Sequence, residues 1–319
     1  MKLLSLNIRQ GGGKRFEQIK SYLSFNNFDV LLLQEFRDNA TGKLIKEYLT
    51  SIGFQYAYNY TDKTQNTVLT AAKELKKINT PTQVNKWSCL ITEINSIRVI
   101  NVYFPQRNYK KVVFEFLMDI VKDNKSTLVA GDFNTGNNEL DSEGAKFICA
   151  NEFNILSDEI LNDAYRIHNN TQKDYSWYSN KGNGFRVDHI LVSDDIKNKI
   201  ISVKYDQSTR KGVSDHAAML ADISINNTVS LLIEMLNDGD QNFECKFIDY
   251  VSKIDTFDWM SWSKGLNFFK KSTNQNLCDF EKSELERLLL LVVRVDRFNN
   301  GFLSKQKNNG NLLSILKKL

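Results

Sequence analysis

The hydrophobic period of this chain changes once, and that change limits its fold more than any other feature. Up to Ile225, short stretches with a two-residue or continuous apolar pattern alternate with stretches of helical spacing. Beyond Asn226-Asn227 only helical periods occur, over residues 229–236, 243–254, 259–270, 279–295 and 312–319. A length of 319 residues leaves room for one or two domains. We therefore expect residues 1–225 to form one domain of mixed strands and helices, and residues 226–319 a separate all-α domain.

Within the first part, strands are expected over 2–8, 29–33, 67–72, 88–94, 97–104, 127–130, 187–192 and 219–225. Helices are expected over 16–25, 44–52 and 109–122. Asn95-Ser96 separates two strands as a hairpin turn would. Pro81 and Pro105, the only prolines, fall at loop positions, as strand interiors require. Strands flanked by short helices predict two packed sheets covered by helices.

Polar residues stand where these strands end. Asn7 closes the first strand, and Gln34-Glu35 follows Val30-Leu31-Leu32-Leu33. Asp132 and Asn134 follow Leu128-Val129-Ala130-Gly131; Asp188 enters the strand Ile190-Leu191-Val192; Asp215-His216 precedes the last strand. A carboxylate directly after an apolar strand is aimed at one rim of its sheet. A hard divalent ion such as Mg²⁺ or Mn²⁺ takes oxygen ligands, and Glu35 and Asn7 offer them, with Asp215 as a further candidate. Asp132 and His216 are the candidates for acid and base, and Asp188 could hold the His216 imidazole in one tautomer.

The motifs Leu6-Asn7, Leu33-Gln34-Glu35, Asn101 to Gln106, Gly131 to Asn134, Ser176-Trp177, Arg186 to His189 and Ser214 to His216 occur in this order. Together they resemble the exonuclease III and DNase I superfamily, the endonuclease/exonuclease/phosphatase type, across residues 1–225. The resemblance implies a four-layer α/β/β/α sandwich followed by the small helical domain. It implies a divalent metal at Asn7 and Glu35, with Asp215 supporting the metal or the histidine. Tyr103 would contact the scissile phosphate and Asn134 would bind phosphate. Asp132 would orient or activate water or protonate the leaving group. Asp188 would orient His216, which would polarise the phosphate. Phe36-Arg37 and Ala217 depart from the DNA-repair members of the superfamily. The helical part resembles an uncharacterised bacterial domain.

Each residue also has a plain structural reading. Asn7 could close a turn, Asp132 and Asn134 could form one, and Glu35 and Asp215 could be solvated carboxylates. Tyr103 and His216 could be core residues, and Asp188 could pair with Arg186 or Arg9. His189, on the strand, suits the core. Trp177 could stack on bases or belong to the core. Arg9 and Arg107 could track a phosphate backbone or simply face solvent.

A net charge of +4 permits a nucleic-acid partner without the dense basic patch of a dedicated binder. The four cysteines are too far apart for a metal clip, and no signal peptide or membrane span is read, so a cytoplasmic protein with free thiols is expected. The leading expectation is a metal-dependent nuclease. One rival is a phosphatase or phosphodiesterase of a small-molecule or lipid phosphate. The other is a non-catalytic scaffold that binds a protein partner through its helical domain.

Overall fold

The computed structural model describes every residue except 60, 61, 80–86, 124, 225–227, 255 and 271–276, so Pro81 and the Asn226-Asn227 break lie outside the described residues. The chain forms two compact units, Met1–Ile225 and Asn226–Leu319. In chain order the first unit contains β1 (Lys2–Asn7), α1 (Phe16–Phe25), β2 (Val30–Phe36), α2 (Ala40–Ser51), β3 (Gln55–Tyr58), β4 (Thr67–Ala72), β5 (Lys76–Ile78), β6 (Cys89–Ile94) and β7 (Ile97–Tyr103). There follow α3 (Lys110–Ile120), β8 (Thr127–Asp132), α4 (Ala150–Asn154), β9 (Asn162–Asp163), α5 (Ala164–His168), β10 (Trp177–Tyr178) and β11 (Gly184–Phe185). The unit ends with β12 (Asp188–Val192), α6 (Asp194–Lys197), β13 (Ile200–Asp206) and β14 (Ala218–Ile223).

Two six-stranded sheets result, ordered β13-β14-β1-β2-β4-β3 and β5-β6-β7-β8-β12-β9, with β10-β11 as a separate hairpin. β1 and β2 run parallel, as do β7 and β8. The two-residue strand period sorts the side chains into layers. Leu3, Val30, Leu32, Val99, Leu128, Ala130 and Ile190 share the core between the sheets. Leu4, Leu6, Leu31 and Leu33 pack instead against Ile19 and Leu23 of α1 and Ile45 and Leu49 of α2. Ile100, Val102 and Val129 pack against Val113, Phe114 and Leu117 of α3. The result is the expected α/β/β/α sandwich.

Local chemistry sets several boundaries. Asn95 and Ser96 both have positive φ (52° and 61°), as a tight two-residue hairpin demands. The helix expected from Leu44 starts at Ala40, because the Asn39 side chain accepts a hydrogen bond from Gly42 N at 2.9 Å and caps it. β3, β5 and β13 are too polar or too short to stand out by pattern. Gly131 has φ 144°, and a Cβ there would lie 2.0 Å from the Val102 carbonyl oxygen across the β7–β8 pair, so only glycine fits before Asp132.

A buried ion network ties loops to the second sheet. Arg186 is fully buried and donates from Nε and Nη2 to Asp141 (2.7 and 3.0 Å) and from Nη1 and Nη2 to Asp163 (3.2 and 2.5 Å). Arg166 adds a bond to Asp141 at 2.6 Å. The network fastens the loop after β8 and the start of α5 to the entry of β12, two residues before Asp188.

The second unit consists of α7 (Thr228–Asp238), α8 (Phe243–Ser252), α9 (Ser263–Lys270), α10 (Lys282–Asp296), α11 (Phe302–Asn308) and α12 (Asn311–Lys318). Phe243, Phe247, Leu288, Leu289, Leu312 and Ile315 form its core. α9 begins at Ser263 and not near Trp259, where Asp258 Oδ1 accepts from Met260 N in a competing turn. The four cysteines are free, Cys89 and Cys149 buried, Cys245 and Cys278 exposed. Among the described residues no helix is long and apolar enough to cross a membrane.

Two stability predictions follow from these contacts. Gly131→Ala is expected to lose about 1–3 kcal/mol from the backbone dihedral alone, and more from the Val102 contact, read as a lower urea midpoint. Arg186→Ala strips buried Asp163 of its cationic partner and leaves buried Asp141 with Arg166 alone, and should cost about 3–5 kcal/mol at neutral pH. In the folded wild type burial works to raise the Asp141 carboxyl, but Arg186 outweighs it and holds the group at about 2. That stability is present above the unfolded value near ~3.9 and is lost as pH falls through the folded value near 2. Acid titration of unfolding should show this loss in the wild type and a smaller one in Arg186→Ala, where Arg166 still pairs with Asp141.

Candidate active site

The inner row of each central strand turns from apolar to polar at one mouth of the sandwich. On β1 the row reads Leu3, Ser5, Asn7; on β8, Leu128, Ala130, Asp132; on β12 it begins at Asp188 and continues to Ile190. Strand pairing brings these ends together: Asn7 sits opposite Gln34, Tyr103 opposite Asp132, and Asp132 opposite Asp188. His189 points to the other side of the sheet. There it meets Phe133 edge-on at 5.4 Å between centroids, so of the two Asp-His pairs only Asp215-His216 brings its imidazole to the mouth.

Asn7 joins the two halves of the site. Its Nδ2 donates to Glu35 Oε1 at 3.1 Å and to Asp132 Oδ2 at 2.9 Å. Its Oδ1 accepts from Arg9 N at 2.8 Å. The amide oxygen is thus engaged with the backbone, and Asn7 acts here as a strut between two carboxylates. Ligation of a metal through that oxygen would need the amide to turn over.

Glu35 lies in a β-bulge, where the β2–β4 register shifts between Leu33 and Phe36, and it has φ 52°. By parity it would share the outer face with Leu33; the bulge aims it at the mouth instead. Its carboxylate accepts from Asn7, from Gln10 N at 2.7 Å and from Asn66 Nδ2 at 3.1 Å. Among the described residues no lysine or arginine forms an ion pair with it. A half-buried carboxylate held by N–H donors, uncompensated by a cation and carried on strained backbone, fits a hard divalent ion. Arg9, Gln10, Arg107 and Asn134 also have positive φ, so strain gathers around this mouth.

His216 Nδ1 bonds Asp188 Oδ2 at 2.8 Å, which leaves Nε2 for a substrate. Burial disfavours the imidazolium, but Asp188, and then Asp132 and Asp215, outweigh it and raise the His216 pKa. Burial and then the Asp188 charge push the Asp132 carboxyl up. Asp132, Asp188 and His216 each present a ligand atom within 4.8 Å of one another. However, the His216–Asp188 bond already occupies one atom of each, so Glu35 is the better seat for a metal. Asn134 N donates to Asp132 Oδ1 at 2.8 Å, and Asn134 Nδ2 donates to Phe104 O at 2.9 Å. Burial, then Glu35 and Asp132, raise the Tyr103 pKa, so its phenol stays a donor.

The remaining expected residues make contacts of their own. Asp215 pairs with Arg9 at 3.7 Å, both partly exposed. Trp177 sits on β10, tilted against Phe185 at 5.8 Å, and Arg107 on the turn after β7. Among the described residues neither hydrogen-bonds nor ion-pairs with Glu35, Asp132 or His216. Asp188 pairs with neither Arg9 nor Arg186.

Several supporting residues have roles that the sequence motifs did not assign them. Ser176 Oγ accepts from Val187 N (3.1 Å) and Asp188 N (3.2 Å), and its carbonyl accepts from Ala217 N at 2.7 Å, so one residue registers both partners of the Asp188–His216 pair. Arg15 bonds the carbonyls of Ile8, Arg9 and Val213, and so pins the two loops around Asn7 and His216. Gln106 donates to Asn134 Oδ1 at 2.6 Å, and buried Lys110 donates to the Asn134 carbonyl.

Residues 97–220 match a family described as endonuclease-reverse transcriptase, and residues 201–319 match a family of unknown function (DUF6508). No protein of curated function matches the chain. The structure of a 3′ phosphatase, NExo, from Neisseria bound to a product DNA hairpin is similar: TM-score 0.61, 23% identity, covering 70% of this chain and 99% of that one. An AP endonuclease from Archaeoglobus fulgidus gives 0.61 at 19% identity, covering 70% of this chain and 100% of that one. The catalytic domain of APE2 from Xenopus laevis gives 0.57 at 17%, covering 70% and 91%. At these identities the likeness is one of fold.

Proposed function

We propose that the protein is a divalent-metal-dependent phosphodiesterase that hydrolyses nucleic acid by direct attack of water on phosphorus. One observation carries this reading: Asn7 holds Glu35 and Asp132 together beside the Asp188–His216 pair. Glu35 would hold a Mg²⁺ or Mn²⁺ ion, with Asn7 or Asp215 as a further ligand. When bound, that ion supplies positive charge against the phosphate oxygens.

The chain's own groups do the rest. Asp132, raised in pKa by burial, takes a proton from the attacking water or returns one to the leaving oxygen. The Asp188 carboxylate accepts from Nδ1 and favours the doubly protonated imidazolium of His216, so Nε2–H can donate to a phosphoryl oxygen and stabilise charge as it develops. Tyr103 contacts the phosphate as a phenol donor, and Asn134 binds it through an amide that Gln106 and the Phe104 carbonyl hold in place, on a backbone that Lys110 anchors. Trp177, Arg9 and Arg107 flank the mouth where the strand would lie. The Neisseria protein's product DNA hairpin supports a nucleic-acid substrate, and its description as a 3′ phosphatase favours a terminal phosphomonoester as the second reading. Small-molecule and lipid phosphates are separated from these by the same assay. For the helical unit we retain a protein or substrate contact as the working role.

Purified protein should cleave plasmid, single-stranded DNA or RNA with Mg²⁺ or Mn²⁺ and lose activity in chelator. Asp132→Ala and His216→Ala should each slow cleavage by about 10²–10⁴-fold. Cleavage that survives both changes, or turnover of lipid or sugar phosphates alone, would overturn the assignment. Glu35→Gln should weaken Mn²⁺ binding at least about tenfold, measured by calorimetry; unchanged binding would move the metal elsewhere.

A further inference from the structure

Beside the Glu35 carboxylate lies a cavity of about 330 Å³ that the reaction above leaves unused. Arg37, Gln65, Asn66, Trp87, Tyr103 and Pro105 contribute to its lining. Two of these also belong to the site. Asn66 donates to Glu35 Oε2 at 3.1 Å, and Tyr103 feels the charges of Glu35 and Asp132. Arg37 Nε donates to Asn66 Oδ1 at 2.6 Å, so a chain of two hydrogen bonds runs from the cavity wall to the candidate metal seat.

The lining chemistry narrows the occupant. A bare phosphate asks for donors only. This cavity is lined by the side-chain amides of Gln65 and Asn66, groups that both donate and accept and that already bond the Asn66 carbonyl, Glu35 and Arg37, and by one guanidinium whose Nε is engaged. Trp87, at 37% exposed, and Tyr103 and Pro105 provide flat apolar surface. Flat faces combined with mixed donor and acceptor edges match a nucleobase. The volume sits at the floor of the range for ligand pockets, about 300–1,000 Å³, and suits one base with its sugar. A base paired inside a duplex cannot enter without leaving its stack.

Resting on the phosphodiesterase reading, we propose that this cavity receives one unpaired nucleobase next to the scissile phosphate, so that the enzyme acts on single-stranded or locally unpaired nucleic acid.

The test is binding by the full chain in chelator, read by fluorescence anisotropy. Three labelled probes are compared: a short single-stranded oligonucleotide, a chain of tetrahydrofuran abasic nucleotides of the same length, and a blunt duplex. Wild type should prefer the base-bearing strand over the abasic chain. Trp87→Ala should weaken binding of the base-bearing strand by about five- to hundredfold and leave the other two probes unchanged. Trp87→Phe should keep most of the preference. Trp87→Leu, which keeps apolar volume without a π-face, should lose it. Equal binding of the base-bearing and abasic strands by wild type, or an undiminished preference in Trp87→Ala and Trp87→Leu, overturns the proposal. So does a duplex affinity that depends equally on Trp87. Metal-dependent cleavage that requires Asp132 is scored separately. If that cleavage is absent, the underlying hydrolase reading fails; if it is present without a base preference, only the cavity assignment fails.

Discussion

The two-residue period of the β-strand is the constraint on which the site depends. Side chains at alternate positions must face the same way, so the row that buries Leu3, Leu128 and Ala130 between the sheets also carries Asn7 and Asp132. Five central strands deliver polar groups to one mouth because their inner rows end, or in β12 begin, at the same level. Packing of the apolar residues below fixes the height of those above. A register slip of one residue on β8 would turn Asp132 into the α3 side of the sheet and bring Phe133 inward. The paired sheets therefore hold the site rigid, and the loops above them only complete it.

Gathering three carboxylates and an imidazole in a buried mouth carries an electrostatic cost, and the surrounding contacts show how it is offset. Asp188 is balanced by His216, and Asp132 accepts from Asn7 and from the Asn134 amide. Glu35 receives only neutral donors. Charge compensation is thus complete on the histidine side and incomplete on the glutamate side, which is the asymmetry a site needs to take a cation at one end and present acid–base groups at the other. The Arg186 network lies outside this balance. It spends a full cation on Asp141 and Asp163 and thereby holds the entry of β12, from which Asp188 projects.

How much of this was legible in the chain varies with the physics. Strands β1, β2, β4, β6, β7, β8, β12 and β14 show in the apolar runs, and the acidic groups after them mark the mouth. Glu35 was legible only as a neighbour of Leu33; parity alone puts it on the wrong face, and the bulge that corrects this leaves no pattern. Arg15 and Lys110 carry no pattern that separates them from ordinary charged surface, yet Arg15 pins two site loops and Lys110 supports Asn134. Ser176 looked like part of a Ser-Trp motif whose aromatic partner would matter, whereas the hydroxyl registers Asp188 and the carbonyl registers the strand after His216. Such roles depend on partners more than a hundred positions away or on backbone groups, to which side-chain identity gives no clue.

Sequence alone decided the layered α/β unit, the helical second unit, and the residue types at the strand ends, because these follow from periodicity and from residues adjacent in the chain. It left undetermined that Asn7 turns its nitrogen to both carboxylates, that a bulge turns Glu35 to the mouth, and that Asn66 and Arg37 connect a cavity to Glu35. Those features arise from pairing across the sheet, from a bulge and from loops that meet over long separations. Each is a matter of distance in space, which a local pattern does not encode.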